Sequence, residues 1–367
     1  MPLRLAFVTS TPLDVVRGSG TFHGIATLAR ALEALGCEVQ LVTPRLRWPV
    51  YTLERLWFNE RLRWRDFGGF DVVVGFDMDG YRLAGGSGGL HVASIKGVIA
   101  DEMRFERGAT RASMCIQAAC ERRHVRRASL VMTTSHYAAG RLQELYGLTE
   151  KPRIVPEAID LEGWRERFAQ NPAAPDPGQF TVLSVCRFYP RKRLELLLEA
   201  AQRLRGRIPE LQVRIVGGGP EAGRLRRIWR EKRLEQTVSW LGDVSPDVLA
   251  REYQRCDVFV LPSVQEGFGI VFLEAMAAGK PIVAAGAGAA PEVVAQGLLA
   301  KPENAESLAR AIARLHQDRA LRDSLAERGW RAVEQFDAPK VAQAFLGELS
   351  AYEPDRKFRL DAGPDAP

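Results

Sequence analysis

Cysteine and histidine are both scarce in this sequence, with five of each in 367 residues. The cysteines, Cys37, Cys115, Cys120, Cys186 and Cys256, are scattered and odd in number. They offer neither a disulfide framework nor metal-ligand spacing, which points to a reducing cytoplasm. The histidines form no HExxH-like cluster, so no zinc or other metal site is expected. No stretch approaches the roughly 20 apolar residues that span a bilayer. The opening MPLRLAFVTS holds a short apolar run with an arginine inside it. It reads as a buried first strand, not as a signal peptide. What is present fits a globular chain, with 46% hydrophobic and 26% charged residues. The length exceeds one typical core, so two domains are expected.

The net charge of +6 is modest but unevenly placed. Residues 1–170 carry 23 Lys and Arg against 19 Asp and Glu. Residues 45–65, RLRWPVYTLERLWFNERLRWR, carry six Arg and two Glu, which matches that whole surplus of four. The same segment holds Trp48, Tyr51, Trp57, Phe58 and Trp64. On a helix, Leu53, Leu56, Trp57 and Trp64 would share one side. Arginines with interfacial aromatics suit a membrane surface rich in anionic lipid. The plainer expectation is a helix packed on its own domain with solvated arginines. No RNA- or DNA-binding motif accompanies the charge, so nucleic acid is not an expected partner.

Strand-like runs alternate with amphipathic helices, as in parallel sheets covered on both faces. Leu5–Val8, Val39–Val42, Val72–Val74 and Leu130–Thr133 are expected strands of the first half. Ala169–Gln179, AQNPAAPDPGQ, reads as a linker. The alternation then restarts. Strands are expected at Val182–Val185, Val213–Val216, Val238–Trp240, Val258–Leu261 and Ile282–Ala284. Helices are expected at about 192–205, 220–232, 246–255 and 269–278, with three more between about 304 and 351. The fold class is α/β, with two doubly wound Rossmann-like domains facing a cleft. The first domain is placed at 1–170 and the second at 176–351. The last helix is free to pack back on the first domain, and a frayed tail occupies 354–367.

Three loops of the second half lie where strands lead into helices. Val185–Arg193, VCRFYPRKR, puts Arg187 and Lys192 at the mouth of the cleft, suited to a diphosphate. Val216–Pro220, VGGGP, lets the backbone approach a ligand closely through Gly217. Glu266–Glu274, EGFGIVFLE, has Gly267-Phe268-Gly269 turning into a helix whose first amides suit an anion. Glu266 lies before that helix and Glu274 about a turn and a half inside it. Ionised carboxylates suit vicinal hydroxyls such as those of a sugar or ribose. Either glutamate alone would read as an ordinary helix-end acid. Together with the two cations and three glycine loops, they read as a ligand clamp.

CRFYPRKRLELLLEA, VRIVGGGPE, VSWLGDV, DVFVLPSVQEGFGIVFLEAMAAGKPIV and AAPEVV closely resemble the GT-B glycosyltransferases of family 4. The resemblance covers the second domain, and its two glutamates seven residues apart make it specific. It implies a retaining, metal-independent transferase using a nucleotide-diphosphate sugar, with UDP-sugar the commonest donor and no cofactor. It implies that Arg187 and Lys192 hold the donor diphosphate. Glu266 and the backbone of Gly267, Phe268, Gly269 and Ile270 would hold the sugar. Glu274 would take the ribose hydroxyls, with the base near Gly217 and Val244. One departure follows Pro291-Glu292-Val293-Val294, where AQ leads straight into Gly297-Leu298-Leu299 and the family has a longer loop.

The first half is less specific. Gly18 and Gly20 form a lone GxG, weak evidence for dinucleotide binding. The resemblance implies instead a glycine loop that closes on the donor. The family commonly places a histidine at the end of a strand that here reads His91-Val92-Ala93-Ser94-Ile95-Lys96-Gly97. Lys96 stands in its place, suited to holding phosphate or acceptor and a poor general base. Asp77-Met78-Asp79 could bind a metal–diphosphate complex, but Arg187 and Lys192 already serve the phosphates. Asp77, Asp79, Asp101 and Glu102 are therefore expected as acceptor-side carboxylates. The acceptor is a glycan, lipid or small molecule, and the location cytoplasmic or peripheral at the inner face of the membrane. Two other functions fit the motifs: a non-catalytic sugar-nucleotide-binding module and a same-fold nucleotide-sugar epimerase.

Overall fold

The structure, a computed structural model, describes residues 2–12, 20–45, 50–86 and 89–353. Gly18, Trp48 and the expected tail from Pro354 lie outside the described residues. The chain forms two units. One runs to Ala158 and regains the chain at Phe336; the other is Ile159–Gln335.

The first unit contains β1 (Arg4–Val8), α1 (Gly20–Ala34), β2 (Glu38–Val42), α2 (Tyr51–Leu62), β3 (Val72–Phe76), β4 (Leu90–Ile95), α3 (Ile99–Glu102), α4 (Gly108–Arg127), β5 (Leu130–Thr133), α5 (His136–Tyr146) and β6 (Arg153–Ile154). Its strands pair in parallel in the order β2-β1-β3-β4-β5-β6. Parallel strands covered on both faces need apolar residues on both sides, and every residue of β3 and β4 is buried.

The second unit contains α6 (Leu161–Gln170), β7 (Phe180–Val185), α7 (Leu194–Leu204), β8 (Leu211–Val216), α8 (Ala222–Glu231), β9 (Val238–Gly242), α9 (Pro246–Arg255), β10 (Val258–Leu261), α10 (Ile270–Ala277), β11 (Ile282–Ala285), α11 (Ala290–Val293), β12 (Leu298–Ala300), α12 (Ala305–Gln317) and α13 (Arg319–Ala332). The sheet order is β12-β11-β10-β7-β8-β9, again parallel. From β7 the chain steps outward to β8 and β9, then returns to β10 on the opposite side. The β7/β10 pair is therefore the topological switch point, where open α/β sheets bind ligands beyond the strand C-termini.

One boundary differs from the sequence expectation, while the last helix packs where the sequence left it free to. The segment 159–170, assigned above to the first domain, belongs to the second unit. Its helix α6 packs Trp164 against Tyr253 of α9, ring centroids 5.8 Å apart. Gln254 also donates to the carbonyls of Phe168 and Asn171. The Pro- and Ala-rich stretch is thus a surface loop inside the second unit rather than the junction. The last helix, α14 (Ala338–Tyr352), packs in the first unit. Its Val341, Phe345, Leu346 and Leu349 join Phe7, Ile25 and Leu32 in one core cluster. Each such burial contributes about 2 kcal/mol.

A second feature of the first unit is ionic. Asp79, fully buried, follows β3 and accepts from four donors: Ser10 N and Oγ, both at 2.7 Å, Arg55 Nη2 at 3.2 Å and Asn59 Nδ2 at 2.9 Å. Arg55 also reaches Ser10 Oγ and Gln117 Oε1. This network clamps α2 and α4 onto the loops after β1 and β3. The Asp79→Ala chain would keep a buried guanidinium without its counter-charge. Its first unit should unfold about 3 to 5 kcal/mol more easily, as read by urea denaturation; an unchanged midpoint would show the clamp to be inert.

Candidate functional site

At the switch point of the second unit, the loops after β7 and β10 lie side by side. Val264 N donates to Arg191 O at 2.9 Å, tying them together. A 3₁₀ turn at Pro190–Lys192 presents the lysine, and Lys192 Nζ meets Glu266 Oε1 at 2.6 Å. Both side chains are largely buried, 12% and 8% exposed, so this pair is poorly screened. Arg187 is more open and reaches Asp243 Oδ1 at 3.3 Å, in the loop after β9. That contact sets Val244 beside the same group of loops.

Two glycines have backbone reasons to be glycine. Gly217 has φ +115°, and a Cβ there would lie 2.1 Å from Cys186 O. The loop after β8 can therefore close onto the loop after β7, where Phe188 N donates to Gly218 O. Gly269 has φ +94° and is the residue from which α10 starts. A Cβ at this position would sit 2.6 Å from the Phe272 ring. A helix start of this kind leaves its first amides without intrahelical acceptors. The loop after β11 adds Ala289 N, donating to Glu266 O at 3.0 Å.

Arg187, Lys192, Gly217, Val244, Glu266, Gly267, Phe268, Gly269 and Ile270 thus fall on neighbouring strand-end loops or the start of α10. Glu274 lies further along α10, where Tyr253 Oη donates to its Oε2 at 2.7 Å. Burial pushes its carboxyl up to about 7, although the Tyr253 hydrogen bond opposes that rise. Sequence reasoning missed Tyr253, which has no local motif and is brought in by α9. It also missed Ser263 and Gln265 on the loop after β10. Both are buried, and Ser263 Oγ and Gln265 Oε1 lack partners among the described residues.

In the first unit, Lys96 is buried at the end of β4, with Nζ 3.0 Å from Glu157 Oε2. Glu157 was not foreseen. It packs on α1 so closely that a Cβ on Gly24 would lie 2.3 Å from its Oε2. An ammonium held by a carboxylate suits charge stabilisation better than proton abstraction. His91 is directed into the core. His124 Nδ1 donates to Asp77 O at 2.6 Å, so its Nε2 accepts from His91 Nε2 at 2.9 Å. Burial holds both imidazoles neutral, down to about 3 for His91 and about 4 for His124.

The four carboxylates expected on the acceptor side separate into two kinds. Asp79 and Asp101 are corrections: both are fully buried and spent on partners within the unit. Asp79 serves the Arg55 network, and Asp101 binds Arg104, Arg141 and the Tyr137 hydroxyl. Asp77 turns its Oδ1 to the amides of Lys96 and Gly97, so it shapes the end of β4. Burial lifts its carboxyl to about 6, against the opposing charge of Arg55. The two acids of Asp77-Met78-Asp79 therefore point to different partners. Glu102 is half-buried, and a Cβ at Gly97 would approach its Oε1 to 2.8 Å. Gly20 begins α1.

The family model for glycosyl transferases group 1 matches residues 166–331, and that for glycosyltransferase family 4 matches residues 18–163. A GDP-mannose-dependent alpha-(1-6)-phosphatidylinositol monomannoside mannosyltransferase of Mycobacterium tuberculosis is 32% identical over 245 residues. That match covers 60% of this chain and 63% of the relative. A D-inositol 3-phosphate glycosyltransferase of Nocardia farcinica is 30% identical over 246 residues, 63% of this chain and 54% of that protein. The chain thus spans less than two thirds of these relatives. Among solved structures, sucrose-phosphate synthase from Thermosynechococcus elongatus superposes with a TM-score of 0.79 at 23% identity, over 95% of this chain and 98% of that one. Anabaena HepE gives 0.69 at 19% identity, over 95% and 100%. These two likenesses establish the fold.

The titration of Glu274 has a measurable consequence. Its carboxyl keeps a proton up to about pH 7 in the folded chain but only to its ordinary 4.5 when unfolded. Between those values the folded state binds the extra proton, so stability declines as pH rises across that window. The Glu274→Gln chain should lack this decline, a difference of up to about 3 kcal/mol in urea-derived stability between pH 4.5 and 7.5. Parallel pH profiles of the two chains would refute the assignment.

Proposed function

We propose that this chain, which belongs to the GT-B glycosyltransferases of family 4, moves a sugar from a nucleoside-diphosphate sugar to a glycan, lipid or small-molecule acceptor with retention at the anomeric carbon. The observation that carries this reading is the Lys192–Glu266 pair at the switch point. It sets a cation for a diphosphate and a carboxylate for sugar hydroxyls side by side. Arg187 adds a second cation on the neighbouring loop.

In this reading the bond from the anomeric carbon to the diphosphate oxygen breaks, and negative charge grows on the leaving group. Arg187, Lys192 and the first amides of α10 oppose that charge, without a metal. The acceptor oxygen bonds to the anomeric carbon on the face the leaving group vacates. Its proton passes to a phosphate oxygen of the departing diphosphate. This same-face route needs no enzymic nucleophile and no general base, which suits a chain with Lys96 in place of a histidine. Glu266 also keeps the Lys192 ammonium in place before a donor arrives, and exchanges part of that contact for sugar hydroxyls. Glu274 holds the ribose.

The family resemblance makes a UDP-sugar the default expectation, while the mycobacterial relatives are named for GDP-mannose. Donor preference is therefore tested with both. A second reading, a sugar-nucleotide-binding module without turnover, is favoured by Lys96 alone.

A thermal-shift screen over UDP- and GDP-sugars should yield a stabilising donor, since a ligand of the native state raises the melting temperature. Hydrolysis or transfer of that donor should be unaffected by EDTA and fall about 10²- to 10³-fold in Lys192→Ala. NMR of the product should show the donor's anomeric configuration kept. Strict dependence on a divalent ion would end the metal-free mechanism, and inversion would end the same-face route. Calorimetric binding with no turnover would favour the second reading.

A further inference from the structure

The buried carboxylates of the first unit differ in how fully they are used. Asp79 accepts from four donors, and Asp101 from Arg104, Arg141 and Tyr137. Asp77 Oδ1 takes the amides of Lys96 and Gly97, and Glu121 Oε2 takes the Ile99 amide and the Tyr146 hydroxyl. Glu157, just past β6, accepts from Lys96 Nζ at 3.0 Å, and both side chains are buried, 4% and 8% exposed. An ammonium carries three donors, and a carboxylate has two oxygens that accept. Among the described residues this is the one hydrogen bond that either side chain makes. Two ammonium N–H groups and Glu157 Oε1 are therefore left without a protein partner. Such capacity is costly to bury unused. An occupant that both donates and accepts removes the cost. Water does so, and a sugar hydroxyl that displaces it reproduces its bonds.

The pair is also held in place. Glu157 lies against α1 at a position that only glycine admits: a Cβ on Gly24 would stand 2.3 Å from Oε2 and 3.1 Å from the carboxyl carbon. Asp77 fixes the backbone of Lys96, and the Phe76 ring lies 6.0 Å from Nζ. The carboxylate is thus wedged between a helix backbone and the ammonium. This decides between two ligands that Lys96 alone leaves open. A phosphate beside Nζ would also stand beside the Glu157 carboxylate, where burial leaves charge poorly screened and like charges repel. A neutral polyol meets no such conflict. One of its hydroxyls can accept from Nζ while a neighbouring one donates to Oε1. The second unit supplies a contrast. Its Lys192–Glu266 pair has Arg187 on the neighbouring loop, a surplus cation that suits a diphosphate. At Lys96–Glu157 the two charges cancel.

We infer that the Lys96–Glu157 pair is a binding site for a neutral polyol, a sugar ring presenting adjacent hydroxyl groups, and that it rejects a phosphate at the same place. As the seat of the acceptor it rests on the transfer reading above; as a binding site it does not. The test is saturation-transfer NMR titration of the full chain with methyl glucoside, galactoside and mannoside, and with the corresponding hexose 6-phosphates. Three chains are compared: the parent, Glu157→Gln, and Lys96→Met/Glu157→Leu, which replaces the buried pair with apolar side chains. The second unit is the same in all three, so any difference belongs to this pair. The apolar chain should bind the methyl hexosides roughly tenfold more weakly than the parent. Glu157→Gln leaves the ammonium uncancelled and should bind the hexose phosphates roughly tenfold more tightly than the parent, a gain that a merely structural carboxylate would not give. Melting curves show which variants fold, and either variant alone tests the site. Equal hexoside binding by parent and apolar chains would overturn the inference. So would hexose-phosphate binding by the parent that the apolar chain loses. Transfer assays with the same probes separate the two readings. Hexosides that bind through the pair but are never glycosylated would uphold the site and count against transfer. Hexosides glycosylated equally by parent and apolar chains would uphold transfer and overturn the site.

Discussion

Adjacency of β7 and β10 is the constraint on which the candidate site depends. Parallel strands all end on the same edge of their sheet. Where the winding reverses, two loops leave that edge in opposite directions and open a space between them. The Lys192–Glu266 pair sits there at 2.6 Å. Neither residue would be near the other without the reversal, since 74 positions separate them. The remaining loops follow from it: Gly217 permits the loop after β8 to close on the loop after β7, and Ala289 fastens the loop after β11 to Glu266.

The first unit has the same winding and uses it differently. Its reversal lies at β1 and β3. Ser10 follows the first of these strands and Asp79 the second, and they bond directly. Arg55 and Asn59 complete the coordination of that carboxylate from α2. The edge of the sheet is thus occupied by the unit's own side chains at this point. Such a buried pair is costly to desolvate and costlier to break, so it confers definition more than net stability. It also determines how α2 is rotated, and so which of its residues meet water.

The clustering of the switch-point loops was legible because their signals are local. A cation pair after a strand, a glycine run and a glycine turn before a helix are read within a few residues of each other. The strands of the second half, which carry those loops, were legible for a related reason. A parallel strand buried on both faces is a short apolar run, and VFVL and IVAA admit few other readings. The first unit's acids were not legible in this way. Asp77, Asp79 and Asp101 look alike in sequence, and their roles depend on partners from 3 to 69 positions away. Glu157 is the clearest case: nothing near it signals a role, and only the fold brings it to Lys96.

The boundary at Ile159 was missed, and the rotation of α2 left open, for a common physical reason. Proline-rich composition reports where a chain cannot form regular structure, not where its contacts divide. Helical periodicity likewise reports which residues share a side, not which side is inward. On α2 the two sides differ by a buried guanidinium against a pair of tryptophans, and hydrophobicity alone places the tryptophans inside. The carboxylate of Asp79 reverses that preference. A buried arginine without a counter-charge would be strongly unfavourable, but with Asp79, Ser10 and Gln117 as acceptors its burial becomes tolerable. Once Arg55 is held inward, Leu53 and Trp57, two residues away on either side, are carried outward by the helix itself.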